Sequence, residues 1–507
     1  MRGSIRRCVL LAFALSVPAM AQGVVPRDPP KNALQEALDR RAESSRLQAQ
    51  AVAAFEAGDI DAALTLLNRQ LELEPDNTLA LYNLACVRCV RGDRDEAITL
   101  LRSAIERGFV DFEQMRRDPN LAALHDSEMF QQILANRTPI LDAAGNMHFD
   151  VVKDKYRKGY VYDRDEDLHL TFACAYDKGT LEQAIEELHL LSDWAIDELF
   201  TALADPPMRE ADPWVVVVLP TERDFRAWAI ATYGPAAVTS EFSRIGGSYH
   251  HQRKELVAMD LGGTLRHEFL HVLHWRDNMR HGQLHPTWIQ EGLCSLVEDY
   301  DVVDGHLVPV PSWRTNTVKR LARTNRIIDL TKLANMDHNT FNTRRPLANY
   351  AVARSFFLYL YQRHLLSPWY ANYVEHYADD PTGIASIEAV TEMDIASIQR
   401  DFRDWAIALP QVAEARSDGS VSGLTTSLGV EVDPGRGEGP IITRVTAIAR
   451  NAGLRPRDII TSIDSRPTRD MNDFVRVLSS YRPAQHVSVH VRRRSISLDI
   501  DVPVQGR

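Results

Sequence analysis

The residue types best suited to chemistry stand together in His267-Glu268-Phe269-Leu270-His271. Side chains four apart share one face of a helix, so both imidazoles can direct a nitrogen at a single zinc ion. Glu268 sits beside the first imidazole, within reach of a water on that metal. Zinc would lower the water's pKa toward about 7 and leave Glu268 to take the proton. The flanking Leu265, Phe269, Leu270, Val272 and Leu273 are those of a buried helix. Ionisable groups in such a helix need a purpose that packing does not supply. Two imidazoles and a water leave one coordination position open, for which Glu291, twenty residues beyond His271, is the strongest candidate.

The second segment reads Pro286-Thr287-Trp288-Ile289-Gln290-Glu291-Gly292-Leu293. An HExxH helix followed by a helix opening W-x-x-E-G resembles the gluzincin zinc metallopeptidases, the peptidase MA-like group in particular. The resemblance covers roughly residues 140 to 410. It implies a thermolysin-like α+β catalytic domain, one Zn2+ ion bound by His267, His271 and Glu291, and peptide-bond hydrolysis with Glu268 as general base. It also implies that Tyr350, at the start of a later helix, donates to the developing oxyanion. The strand at 255–260, ahead of the metal helix, would pair with the substrate backbone. Glu298, seven residues past Glu291 on the same helical face, is the acid expected to orient a ligand imidazole, a solvated side chain being the alternative. Asp277 falls where metzincin peptidases place their last ligand. Here His274 stands where those enzymes have the turning glycine, and no Met-turn follows. His274 lies further along the helix, His281 and His285 belong to the connecting loop, and Cys294 reads as packing.

These residues need elements to position them, and the chain reads as a multidomain protein. Gly58-Asp59 recurs as Gly92-Asp93, a period of 34 residues, with Ala63 matched by Ala97 and Leu67 by Leu101. A helical pattern of that period resembles the tetratricopeptide repeat (TPR), which implies an all-α array over 44–136 with a degenerate unit at 118–134. Trp214-Val215-Val216-Val217-Val218-Leu219 reads as a doubly buried strand within a catalytic domain over 137–412. A polar linker at 413–424 then leads to short strands over 425–507. Their order resembles a PDZ domain, small and β-rich, with Leu428-Gly429-Val430 as the loop that would receive a peptide's terminal carboxylate. The expected partners are protein or peptide substrates, a C-terminal peptide at the PDZ-like domain and a protein partner at the repeats.

The first residues combine a basic start (Arg2, Arg6, Arg7), a short apolar run and Ala19-Met20-Ala21. That pattern predicts a signal peptide over 1–21, a linker over 22–43 and an exported protein, periplasmic or secreted. A net charge of −11, more negative still without the leader's three arginines, argues against nucleic acid or anionic membrane as partner. No later run approaches the roughly 18 apolar residues of a membrane span. Cys86 and Cys89 fall at small-residue positions of the repeats, where packing outweighs a redox role. The other reading is a catalytically inactive scaffold on a peptidase fold, with repeats and PDZ domain binding proteins. Glu268 between two histidines speaks against it.

Overall fold

The structure, a computed structural model, describes residues 31–205, 212–233, 246–251, 253–415, 421–435, 437–494 and 496–506. The signal peptide expected at 1–21 lies outside the described residues. The chain divides into two units, the first drawn mainly from residues up to Val151 and the second from most of the remainder.

The first unit is helical: α1 (Lys31–Glu56), α2 (Ile60–Leu73), α3 (Thr78–Arg91), α4 (Arg94–Glu106), α5 (Phe112–Arg117) and α6 (Glu128–Ala135). Helix α1 extends into the segment read from sequence as a linker. The repeated glycines do the same job twice. Gly58 and Gly92 take φ of +82° and +104°, a left-handed turn that ends one helix and lets Asp59 and Asp93 begin the next. Ala63, Leu67, Ala97 and Leu101 are fully buried, so the helices close through small residues facing large ones. Asp118 is buried, accepting from Tyr82 Oη at 2.7 Å and from the amide of Asn120, which starts a 3-10 turn at Pro119–Leu124. Cys86 and Cys89 are free and buried, and burial with nearby Asp118 pushes the Cys86 thiol up, which suits packing rather than redox chemistry.

After α7 (Arg137–Tyr156) come β1 (Val161–Asp165), β2 (Leu170–Cys174), α8 (Lys178–Glu198), β3 (Trp214–Val218), α9 (Glu222–Tyr233), β4 (Gly247–His250) and β5 (Glu255–Ala258). The strands form one sheet in the order β1-β2-β3-β5-β4, with β2, β3 and β5 parallel. All five residues of β3 are buried, as its valine run predicts. Strand β5 pairs on both sides, so the sheet edge expected at 255–260 belongs instead to β4. The Gly-Ser-Tyr-His sequence of β4 carries little strand propensity, which is why the sequence pattern did not disclose it.

The sheet leads into α10 (Gly263–His281), α11 (Thr287–Leu296), the hairpin β6 (Tyr300–Val303) and β7 (His306–Pro309), then α12 (Trp313–Arg323), α13 (Leu330–Ala334), α14 (His338–Thr343), α15 (Pro346–Gln362), α16 (Leu366–His376), α17 (Ile384–Thr391) and α18 (Ile395–Ala408). One apolar core joins sheet and helices. Beyond it, β8 (Glu414–Ala415) and β9 (Val421–Ser422) form a short hairpin. There follow β10 (Thr426–Ser427), β11 (Val430–Asp433), β12 (Ile441–Val445), α19 (Ala447–Ala452), β13 (Ile459–Ile463), β14 (Arg466–Pro467), α20 (Met471–Ser479), β15 (His486–Arg493), β16 (Ile496–Pro503) and β17 (Gln505–Gly506). Strands β11-β12-β13-β15-β16 make a sheet with β11 at its edge, over a separate core that includes Leu428, Ile460, Val475 and Val489. Among the described residues no helix is long and apolar enough to cross a membrane.

Candidate metal centre

Helix α10 begins where Asp260 accepts from the amides of Gly262 (2.8 Å) and Thr264 (3.3 Å) and from the Thr264 hydroxyl (2.7 Å). It ends at Gly282, whose φ of +69° is left-handed. Between these caps, His267 and His271 lie one turn apart with their Nε2 atoms 3.2 Å from each other. Glu291, on α11, brings Oε2 to 3.3 Å from His267 Nε2 and 3.6 Å from His271 Nε2. Bonds of about 2.0–2.1 Å at tetrahedral angles would separate donors by about 3.4 Å. The three donors stand at that spacing before any ion is considered, and two neutral imidazoles with one carboxylate are a zinc-type set. Among the described residues they are the one group of three so disposed. Despite burial, the two histidines hold the Glu291 carboxyl well below its usual range, so it is ready to ligate.

The W-x-x-E-G residues divide between packing and the candidate metal site. Trp288 stacks on Phe357 at 5.1 Å, and its indole N–H donates to the Thr382 carbonyl at 3.0 Å. A Cβ at Gly292 would overlap the Phe357 ring, so glycine lets α11 lie close against α15. That approach fixes the turn of helix from which Glu291 projects.

Glu298 Oε1 lies 3.0 Å from His267 Nδ1. Its carboxylate is in turn gripped by Arg314, Nε to Oε2 at 2.7 Å and Nη2 to Oε1 at 2.8 Å. Against burial, Arg314 and His267 hold the Glu298 carboxyl down to about 2. Burial opposes charge on His267 as well, but Glu291 and Glu298 outweigh it and raise that imidazole to about 10. Sequence reasoning missed Arg314, which sits sixteen residues past Glu298 with no motif around it.

Glu268 is buried, and burial raises its carboxyl to about 8. Edge strand β4 closes over it: a Cβ at Gly247 would overlap the Glu268 carboxylate. Tyr249 from the same strand stacks on His271 (4.5 Å, 12°), and its hydroxyl donates to Gln290 Oε1 at 3.3 Å. Tyr350 also reaches the site. Its hydroxyl donates to Asn342 Oδ1 at 3.0 Å, and burial with the charge of Glu291 pushes its phenol up, so it remains a donor at neutral pH.

The rival ligands are placed elsewhere. Asp277 accepts from Tyr370 Oη at 2.7 Å, and His274 faces His285 with Nε2 and Nδ1 2.7 Å apart. The Cys294 thiol, pushed up by burial and by Glu291, stays protonated. In the C-terminal domain Leu428 is buried and Gly429 takes φ of +73°, its amide donating to Ser427 Oγ at 2.9 Å. A Cβ at Gly429 would overlap Gln505 and Thr446, so the turn before edge strand β11 requires glycine.

Known proteins match the two ends of the chain. A family model for the PDZ domain matches residues 426–504, and one for the tetratricopeptide repeat matches 54–117. No curated protein matches the chain. Among solved structures, an HtrA-type protease, AlgW with decapeptide, is 22% identical at a TM-score of 0.16 over 22% of this chain and 35% of its own. An aminopeptidase N family protein from Idiomarina loihiensis is 13% identical at a TM-score of 0.26 over 68% of this chain and 66% of its own. The chain thus spans less than two thirds of either structure, and overlap this slight carries no weight for the function. What the family matches establish is a protein with tetratricopeptide repeats near its N-terminus and a PDZ domain at residues 426–504.

Proposed function

We propose that the chain is an exported zinc-dependent peptidase of gluzincin type. The observation that carries this reading is the set of three donors at tetrahedral spacing beside a buried carboxylate. His267, His271 and Glu291 would hold one zinc ion, which when bound supplies a Lewis acid and an acidified water. Glu268 takes a proton from the attacking water and returns it to the leaving amine nitrogen. Tyr350 turns its hydroxyl from Asn342 toward the oxygen on which charge develops. Strand β4, last in the order of the sheet, accepts the substrate backbone as an added strand. Glu298 keeps His267 oriented, and Arg314 keeps Glu298 ionised.

Metal analysis of the purified chain tests the ligand set. Stoichiometric zinc is expected in the wild type, with at least a tenfold weaker hold in Glu291→Gln. A wild type without zinc, or a Glu291→Gln chain that binds as tightly, would sink the reading. PDZ and TPR domains bind peptides or proteins, and Leu428-Gly429-Val430 is the proposed carboxylate loop. Peptides with a free C-terminus should bind the chain more tightly than their amidated forms in fluorescence polarisation; equal binding would remove the loop from the proposal. Export rests on the basic start, apolar run and small-residue site of the first 21 residues, and N-terminal sequencing of secreted material should begin at Gln22.

A further inference from the structure

Arg266, the residue before the first histidine, is 1% exposed and carries its charge into the interior. Its guanidinium lies over the Tyr300 ring at 5.0 Å. Nη1 donates to Glu187 Oε2 at 3.3 Å, and Nη2 donates to the Glu298 carbonyl at 2.6 Å and to Asp473 Oδ2 at 3.4 Å. Glu187 belongs to α8 and Glu298 follows α11, but Asp473 lies on α20, inside the PDZ domain. The same residue whose carbonyl Arg266 holds is the one whose side chain holds His267.

Charge balance makes Asp473 more than a neighbour. Glu187 also accepts from Arg469 of the PDZ domain, Nε to Oε1 at 2.8 Å, and Arg476 donates to Asp473 Oδ1 at 3.1 Å. Three buried arginines therefore meet two buried carboxylates at this point, with Asp301 serving Arg476 and Arg466 toward the rim. Taking away the charge of Asp473 would leave Glu187 as the carboxylate in direct contact with both Arg266 and Arg469. Removing one partner of a buried ion pair leaves the other charge uncompensated. Arg266 would then be drawn toward Glu187 and off the Glu298 carbonyl. The approach is also built into the backbone, because a Cβ at Gly262 would come within 2.8 Å of Arg469 Cβ at the start of the metal helix.

We propose that Asp473 is a positioning residue for the metal centre, acting from the PDZ domain through Arg266 on Glu298 and His267. This inference rests on the zinc reading above. Its test is zinc retention by the full chain against a chromogenic chelator, compared between Asp473→Asn and Arg466→Gln. Arg466 bridges the same two domains through Asp301 but does not touch Arg266. Asp473→Asn should weaken zinc binding about tenfold or more and Arg466→Gln less than twofold, since groups that orient metal ligands are worth 10–100-fold in affinity. Equal behaviour of the two variants, or a larger loss in Arg466→Gln, would overturn the proposal. A wild type that binds no zinc would overturn the zinc reading and this inference together, which separates the two failures. Should Asp473→Asn not fold, Asp473→Ser gives the same comparison with the same deciding outcomes.

Discussion

Glu298 answers to two partners at once, taking His267 with one oxygen and Arg314 with both. The paired contact explains why a buried carboxylate stays ionised. His267, Glu268 and His271 were legible as a spacing because they share one helix, whereas the helical face expected to carry Glu298 is absent, since α11 ends at Leu296 and Glu298 lies in the turn after it. Arg314, Tyr249 and Gly247 were not legible, since each meets the site through tertiary contact with no sequence signal. Tyr350 is the residue whose role is easiest to isolate. Loss of one oxyanion donor costs about 10²–10³ in kcat. Tyr350→Phe is therefore expected to lower kcat by that order with zinc content unchanged, read by steady-state kinetics beside metal analysis. A kcat within twofold of wild type would remove Tyr350 from the chemistry.

At the scale of elements, glycines mark the close approaches: Gly292 between α11 and α15, Gly247 over Glu268, and Gly262 against the PDZ domain. The repeat glycines, the HExxH helix and the β3 valine run could be read ahead, because period and composition fix them. Strand β4 could not, because its pairing with β5 and not its sequence makes it a strand. The start of α20 carries a pH signature. Asp470 caps it by accepting from the Asp473 amide at 2.9 Å, and burial, then the charges of Asp473 and Asp260, raise its carboxyl to about 8. An unfolded Asp loses its proton near 4, so between about pH 4 and 8 the folded chain holds a proton that the unfolded chain has released. Stability therefore falls as pH rises through that window. Asp470→Asn keeps an oxygen for the cap and removes the titration. It should gain in denaturation midpoint relative to wild type from pH 5 to pH 8, and a difference that does not change with pH would contradict this.

Across the whole molecule, the second unit joins the candidate metal site and the PDZ domain through buried ion pairs rather than through a tether alone. Asn316 on α12 fixes the connection on the side of the central domain, its Nδ2 donating to the Val412 carbonyl and its Oδ1 accepting the Val412 amide. Motif order pointed to the tetratricopeptide repeats and the PDZ domain, whereas the ion pairs between Glu187, Arg266, Arg469 and Asp473 join residues up to 282 positions apart and left no trace in the sequence. In the proposed reaction, one buried carboxylate beside the candidate metal site does the proton transfer for peptide hydrolysis. Glu268→Gln tests it most directly, with zinc content and cleavage of an unfolded protein substrate measured on the same full-length preparation. Zinc equal to wild type is expected, with cleavage reduced by about 10²–10⁴-fold. Cleavage that persists in Glu268→Gln, or a zinc-loaded wild type that cleaves no peptide bond, would contradict it.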